Sequence, residues 1–435
     1  MILNFFKKKT PLIIKIHIGK LLNFRRNHNL QIEVKKVQLT QENLKNELIK
    51  KKMINVIFLV IDNSVWKYEE LYRLLDLDNK FNVKVVIIPL VRDGKGDKEV
   101  FSRTLSYFEN NGYKTFSSYN KEKSTWLDIK SITKPDIVFF TNPHKLTFDK
   151  YYIDNFTDIL TCYVPYAFVV IKTLNGHYDK RFHHLLWKYY VETKYHQFFS
   201  NMYIKKKNSN TVLTGFPGLD KKFNTDFKPE NIWKNYNNGN SFKIIWAPHH
   251  TISGQGNNLD YSSFMEYSTF FFRLLKENKE IQIAFKPHPL LKEKLYKDIN
   301  WGKNKTNKYY ANWNEFPNGQ LEEGSYIDLF HFSNAMILDS ASFIVEYLYF
   351  NKPILFTMKD DKIKERFNSF GKEVFNYLYT GKSKEDLNLF IKNQVLNGND
   401  WMKNKRNNFL KEEILPKDGK TASQNIYYQI KKELC

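Results

Sequence analysis

Acidic residues are scarce here, and so are the features that would tie the chain to an oxidising or membrane-spanning setting. Across 435 residues, 46 Asp and Glu face 68 Lys and Arg, a formal net charge of +22. There are two cysteines, Cys162 and Cys435. They form no CxxC and no disulfide framework, which suits a reducing cytoplasm. No stretch reaches the ~18 apolar residues of a membrane span. The longest candidate, ILTCYVPYAFVVIKTL, is interrupted by Pro165 and two tyrosines. The first residues, MILNFFKKKTPLIIKIHIGK, are basic, but Lys and His break any continuous signal-peptide core. There is no GxxxxGK[ST] and no HExxH, and no paired Cys/His ligand spacing occurs. P-loop chemistry and a zinc site therefore have no sequence support, and no metal or cofactor is expected. Lysines interleave with aromatics, but no nucleic-acid module appears, so no specific nucleic-acid partner is expected.

What is present is apolar bulk and positive charge. The chain is 42% hydrophobic and 16% aromatic, enough for two or three domains with sizeable cores. A field of +22 attracts nucleic acid, anionic headgroups or phosphorylated substrates. Richness in Lys and Asn makes compositional bias an equal reading of the same number.

Hydrophobic periodicity divides the chain. Residues 1–52 form a basic extension, in which LTQENLKNELIKKK reads as a helix capped by Thr40. Such a leader suits an anionic membrane face or, preferably, a docking arm on the main body. Residues 53–222 alternate strand and helix: INVIFLVI, SVWKYEELYRLLDL, VKVVIIPLV, EVFSRTLSYFENNGY, PDIVFF and finally TVLTGFPGLD. Residues 223–240 are an Asn-rich polar linker. Alternation restarts over 241–395 with FKIIWAP, YSSFMEYSTFFFRLLKEN, IQIAFKP, NAMIL, ASFIVEYLYF as a helix, and PILF. Residues 396–435 read as helices. The expectation is α/β: two Rossmann-like domains with parallel sheets facing across a cleft, a glycosyltransferase-B-like (GT-B-like) plan with a basic N-terminal extension. Ligands in such sheets sit beyond the carboxyl ends of strands.

Three strand ends of the second half carry polar chemistry. IIWAPHHTISGQG places His249 and His250 after a strand, where neighbours point different ways, so one of the two is expected to face the cleft. Gly254 and Gly256 let the following loop approach a ligand, or simply make it flexible. AFKPHP holds His288 on a turn stiffened by two prolines, with Lys286 beside it. ILDSASFIVEY ends a strand at Asp339 and offers Ser340 and Ser342 at a helix start, where a phosphate can bind. Glu346, one turn on, could accept from ribose hydroxyls. Read alone, Asp339 and the serines are more simply helix caps. The histidines of RFHH, at 181–184, read as structural.

Together these stretches resemble the CDP-glycerol glycerophosphotransferase family of teichoic acid and capsule polymerases. The likeness runs over about 241–361 through IIWAPHHT, IAFKPHP and YIDLFHFSNAMILDSASFIVEYLYFNKPILF, with LTGFPGLDKKF resembling the turn that closes the family's first domain. The resemblance implies a cytoplasmic enzyme, peripheral on the inner membrane face. It would move an alditol phosphate from a CDP-activated donor to a glycan or lipid-linked acceptor. By matching positions, His288 would contact the donor diphosphate, and Ser340 and Ser342 its phosphates. The family's Trp-His-Gly segment, which carries its catalytic base, has no counterpart; TCYVPYAFVV stands in its place. His249 or His250 is then the expected replacement base, or binds phosphate as a cation. The alternatives are a GT-B glycosyltransferase using a UDP- or CMP-sugar, and a non-catalytic glycan- or membrane-binding protein of the same fold.

Overall fold

Two runs of buried β-branched and aromatic residues, separated by the polar linker, become the centres of two parallel sheets. The computed structural model describes residues 12–204, 210–252, 260–324 and 326–435. In the first domain the strands are β1 (Ile54–Val60), β2 (Phe81–Ile87), β3 (Thr115–Ser117), β4 (Ile137–Phe140), β5 (Leu160–Tyr163), β6 (Lys188–Val191) and β7 (Thr211–Leu213). Their order is β7-β6-β5-β4-β1-β2-β3, with every pairing parallel. The second domain holds β8 (Phe242–Ala247), β9 (Ile281–Phe285), β10 (Gly319–Leu321), β11 (Ala335–Leu338), β12 (Ile354–Thr357) and β13 (Tyr379–Gly381), in the order β10-β9-β8-β11-β12-β13. Strand order therefore reverses between β1 and β4 in one sheet and between β8 and β11 in the other. Those reversals open a crevice at the carboxyl ends of the strands. The expected two-domain α/β plan is what the chain adopts.

Packing fixes β8, from which the candidate site hangs. Its Trp246 is 1% exposed and stacks on Phe271 at 4.2 Å, with Phe285 at 5.1 Å and Phe264 at 5.7 Å. Such aromatic contacts add to the area they bury and allow few alternative packings. The linker is also part of the second domain's surface. Trp233 is buried and donates its indole N–H to the Leu329 carbonyl at 3.2 Å.

Two expected helices differ. The helix Leu12–Ile49 runs straight through Thr40, whose hydroxyl donates back to the Lys36 carbonyl at 3.1 Å. Thr40 is thus a mid-helix residue satisfied locally, not a cap. Val34, Val37 and Leu48 of this helix are buried, Gln41 donates to the Leu185 carbonyl at 3.0 Å, and Arg181 pairs with Glu33, so this part lies on the first domain. The second difference is in ASFIVEYLYF, which forms no α-helix. Phe343 has φ 42°, the Ile344 N–H donates to the Ser342 carbonyl at 2.6 Å, and only a 3-10 turn, Glu346–Phe350, follows. The Phe343 ring packs on Tyr326 at 5.1 Å and Phe330 at 5.2 Å. That anchorage holds a tight turn where a helix would begin.

The C-terminal helix Ala422–Leu434 returns to the first domain, burying Ile426, Ile430 and Leu434. Its Tyr427 and Lys431 side chains both donate to Asp78 at 2.7 Å. The GFPGLD turn receives its start. Asp220 accepts the Ser423 N–H at 2.6 Å, and Gly215 has φ +94°, with Pro416 placed where a Cβ would need room. Asp220→Ala leaves that buried N–H unpaired. We expect a stability loss of about 2 kcal/mol, read as a lower urea midpoint at unchanged slope.

Candidate functional site

The chain leaves β8 at Ala247, and Pro248 ends the pleated alternation. His249 and His250 therefore fall on the same side, their rings 4.3 Å apart, which corrects the expectation that one alone would face the cleft. The loop after β9 comes alongside. The His288 N–H donates to the Pro248 carbonyl at 3.0 Å, placing the His288 ring 4.3 Å from His250 and 5.1 Å from His249. One ring nitrogen from each of the three lies within 4.8 Å of the others. His249 is buried; His250 and His288 are half-buried.

Hydrogen bonds choose the tautomers. Nδ1 of His249 accepts the Thr251 N–H at 3.3 Å and meets the Thr251 hydroxyl at 2.8 Å. That hydroxyl already accepts the Tyr261 N–H at 2.9 Å, so its own proton goes to the imidazole. Nδ1 of His288 accepts the Leu290 N–H at 3.1 Å. In both rings the proton is therefore on Nε2. Burial holds His249 down to about 2 and His288 to about 3, and lowers His250 as well, so the cluster is neutral at pH 7. A divalent cation at Nε2 would require the proton on Nδ1, against a backbone donor. Three histidines at this spacing could hold a metal, whereas the tautomers of His249 and His288 present Nε2–H groups, which suit an oxyanion.

Asp339 positions the arrangement rather than meeting a ligand. It ends β11, is 1% exposed, and accepts the His249 N–H at 2.5 Å on Oδ1. Oδ2 accepts the Ser263 N–H at 2.6 Å and the Ser263 hydroxyl at 2.8 Å. Burial raises its pKa to about 6 against the pull of these donors. Ser340 is buried and accepts the Ser342 N–H at 3.0 Å; Ser342 is half-buried. With no α-helix following, the expected helix-terminus phosphate site is absent, and the two serines are hydroxyls on a tight turn. Lys286 is 6% exposed, donates to the Gly324 carbonyl at 2.8 Å, and is lowered to about 8 by burial. Gly254 and Gly256 lie outside the described residues.

Glu346 faces the other domain. It is 4% exposed, its pKa is raised by burial, and the cation acting on it is Lys67, which follows β1. Lys67 is 6% exposed and lowered by burial; it donates to the Ser64 carbonyl at 3.2 Å and to the Tyr326 hydroxyl at 3.3 Å. Gly218 makes room for it, since a Cβ there would lie 2.7 Å from Lys67 Cδ. Lys67, Thr251, Ser263 and Tyr326 escaped the sequence reading. Each is an ordinary residue whose role comes from a partner far along the chain. The second glycine of GFPGLD, Gly218, was the one available signal for Lys67.

The family model described as CDP-glycerol:poly(glycerophosphate) glycerophosphotransferase matches residues 177–432. Among solved structures, the wall teichoic acid polymerase TagF is 13% identical with a TM-score of 0.56, covering 96% of this chain and 97% of that one. The S. aureus MnaA–UDP structure is 16% identical with a TM-score of 0.55, over 88% and 97%. The Neisseria meningitidis UDP-GlcNAc 2-epimerase bound to UDP-GlcNAc is 14% identical with a TM-score of 0.52, over 87% and 100%. At these identities the likeness is one of fold. No curated protein matches the chain in sequence.

Two outcomes follow from the geometry. Asp339→Asn keeps the shape but turns an amide donor towards a backbone donor. It should cost about 1–3 kcal/mol in urea unfolding and weaken nucleotide binding. The imidazoles have folded pKa values below the ordinary 6.5, so the unfolded chain takes up protons first as pH falls. Stability drops from pH 6.5 down towards about 3, and His288→Gln should make the fall in Tm over that window shallower.

Proposed function

We propose a donor site and a mechanism from one premise: the chain belongs to the CDP-glycerol:poly(glycerophosphate) glycerophosphotransferase family. It is a transferase of that type on a GT-B-like fold, with a CDP-glycerol donor and a glycan acceptor. The observation that carries the site assignment is the trio His249, His250 and His288 at the β8/β11 switch point, with Nε2 the protonated nitrogen on two of the three.

In this reading the trio holds the donor diphosphate. An acceptor hydroxyl attacks the phosphorus bearing the glycerol. The bond from that phosphorus to the bridging oxygen breaks, CMP leaves with that bond's electron pair, and the hydroxyl proton passes to solvent water. Imidazole N–H donors, with Lys286 behind them, offset the charge that builds on the leaving phosphate. Ser340 and Ser342 offer further hydroxyls, and Glu346 bounds the nucleotide side. His249 suits phosphate binding better than proton abstraction. Its Nδ1 is occupied, and a pKa of about 2 makes a weak base. No metal or cofactor enters the reading. The net charge of +22 supports a place on the cytoplasmic face of a membrane, beside a lipid-linked or anionic acceptor. Among the described residues no helix is long and apolar enough to cross a membrane.

The test is CMP release from CDP-glycerol in the presence of a short poly(glycerophosphate) acceptor, with UDP-GlcNAc as the competing donor. His288→Ala and His250→Ala should each lower kcat/KM by about 10²–10³, as loss of a transition-state donor does. Turnover of UDP-GlcNAc alone would make the protein a sugar transferase. No turnover and no nucleotide binding would make it a non-catalytic member of the fold.

A further inference from the structure

The first sheet has a switch point too, and a second cluster of nitrogen donors stands there. His144 follows β4, beside the reversal between β1 and β4. A small cavity bordered by Ile61, Ile88, Phe140, Asn142 and Tyr152 lies against it. Lys180 Nζ meets His144 Nδ1 at 2.5 Å, and the Tyr166 hydroxyl lies 3.5 Å from Nε2. The His177 ring stands 6.4 Å from His144. All four side chains are half-buried, within reach of solvent and of a ligand. Tyr166 belongs to TCYVPYAFVV, the stretch that replaces Trp-His-Gly. His144, at the end of the neighbouring strand, places an imidazole beside that stretch.

The chemistry of the cluster is one-sided. The ammonium of Lys180 donates to Nδ1 of His144, which leaves the ring proton on Nε2. The charges acting on His144 and His177 are cationic, and among the described residues neither they nor Lys180 forms an ion pair with a carboxylate. Nearby acids are taken: Glu33 and Asp154 pair with Arg181, and Asp179 with His184. A partly desolvated ammonium ringed by N–H and O–H donors, without a counter-ion, is suited to an anion.

We propose that His144, Tyr166, His177 and Lys180 form an anion subsite at the first sheet's switch point, which holds a phosphodiester of the acceptor chain. It rests on the transferase reading for the acceptor's identity. The anion subsite itself rests on geometry. With the donor diphosphate on the second domain, a phosphodiester held here brings the acceptor's terminal hydroxyl to the cleft from the opposite wall. These four side chains bind and orient; no bond changes at them.

The experiment uses the full chain and a fluorescent glycerol phosphate hexamer, with a neutral oligosaccharide of similar length for comparison. Lys180→Gln and His144→Gln should each weaken hexamer binding about tenfold, as loss of one charge-assisted hydrogen bond does. Lys180→Arg should restore most of it. Affinity for CDP should stay within twofold, and melting curves report that each variant is folded. Tyr166→Phe, the mildest change, serves if another variant unfolds, and should raise KM for the acceptor while leaving KM for CDP-glycerol unchanged. Unchanged hexamer binding in the folded variants overturns the subsite, as does equal wild-type affinity for the neutral oligosaccharide. Weakened hexamer binding in a protein that releases no CMP from CDP-glycerol leaves the subsite standing and removes the transferase reading instead.

Discussion

One buried carboxylate ties together the loops that carry the histidine trio. Asp339 ends β11 and takes N–H groups from His249, after β8, and from Ser263, at the start of the helix Phe264–Glu277. Parallel sheets leave the carboxyl ends of their central strands with N–H groups that no neighbouring strand can reach. Here one side chain takes up a strand-end N–H from His249 and a helix-start N–H from Ser263, at the point where strand order reverses. Ser263 carries the connection further, with its hydroxyl 2.8 Å from that of Thr357 at the end of β12. Three adjacent strand ends are thus fixed to one another, and the imidazoles above them inherit that order. Pre-positioned donors act on a developing charge without the cost of reorganisation.

The two domains are held by contacts that also reach the cleft. Lys67 crosses from the end of β1 to Tyr326 and to the field of Glu346, through the space Gly218 leaves open. Arg366 and Asn368 supply a second seam. The Lys172 N–H donates to the Arg366 carbonyl at 2.9 Å, and Asn368 donates to the Val169 carbonyl at 2.7 Å. The chain then returns from the second domain to the first, where the helix Ala422–Leu434 docks. The distance between the two switch points is therefore set by buried polar groups, which are costly to separate from their partners.

Much of this was legible in the sequence. INVIFLVI, FKIIWAP and NAMIL are long enough and apolar enough to be read as buried parallel strands, and His249, His250 and His288 were singled out by proline-stiffened strand ends. The strands β3, β5, β6, β10 and β13 escaped, because segments of three or four residues carry little period of their own. ASFIVEYLYF misled for a tertiary reason: Phe343 is pulled into an aromatic cluster, and its φ of 42° ends a helix that the residues alone would favour. The His144 cluster escaped because its members come from three separate stretches. TNPH, VPY and the HYDK segment mean little until β4 and β5 lie side by side.

The histidine site shows restraint in its use of charge. A site built of exposed lysines would bind a nucleotide diphosphate tightly before reaction and hold the released CMP equally well, and such uniform binding does nothing for the chemical step. Here the imidazoles are neutral, and Lys286 is turned onto the Gly324 carbonyl under Glu322 and Glu323, which oppose its loss of charge on burial. The donors are present, but their positive charge is largely withheld. In the proposed reading, each N–H bond to the bridging oxygen strengthens as that oxygen takes on negative charge. On that reading stabilisation grows along the reaction coordinate and relaxes once CMP departs.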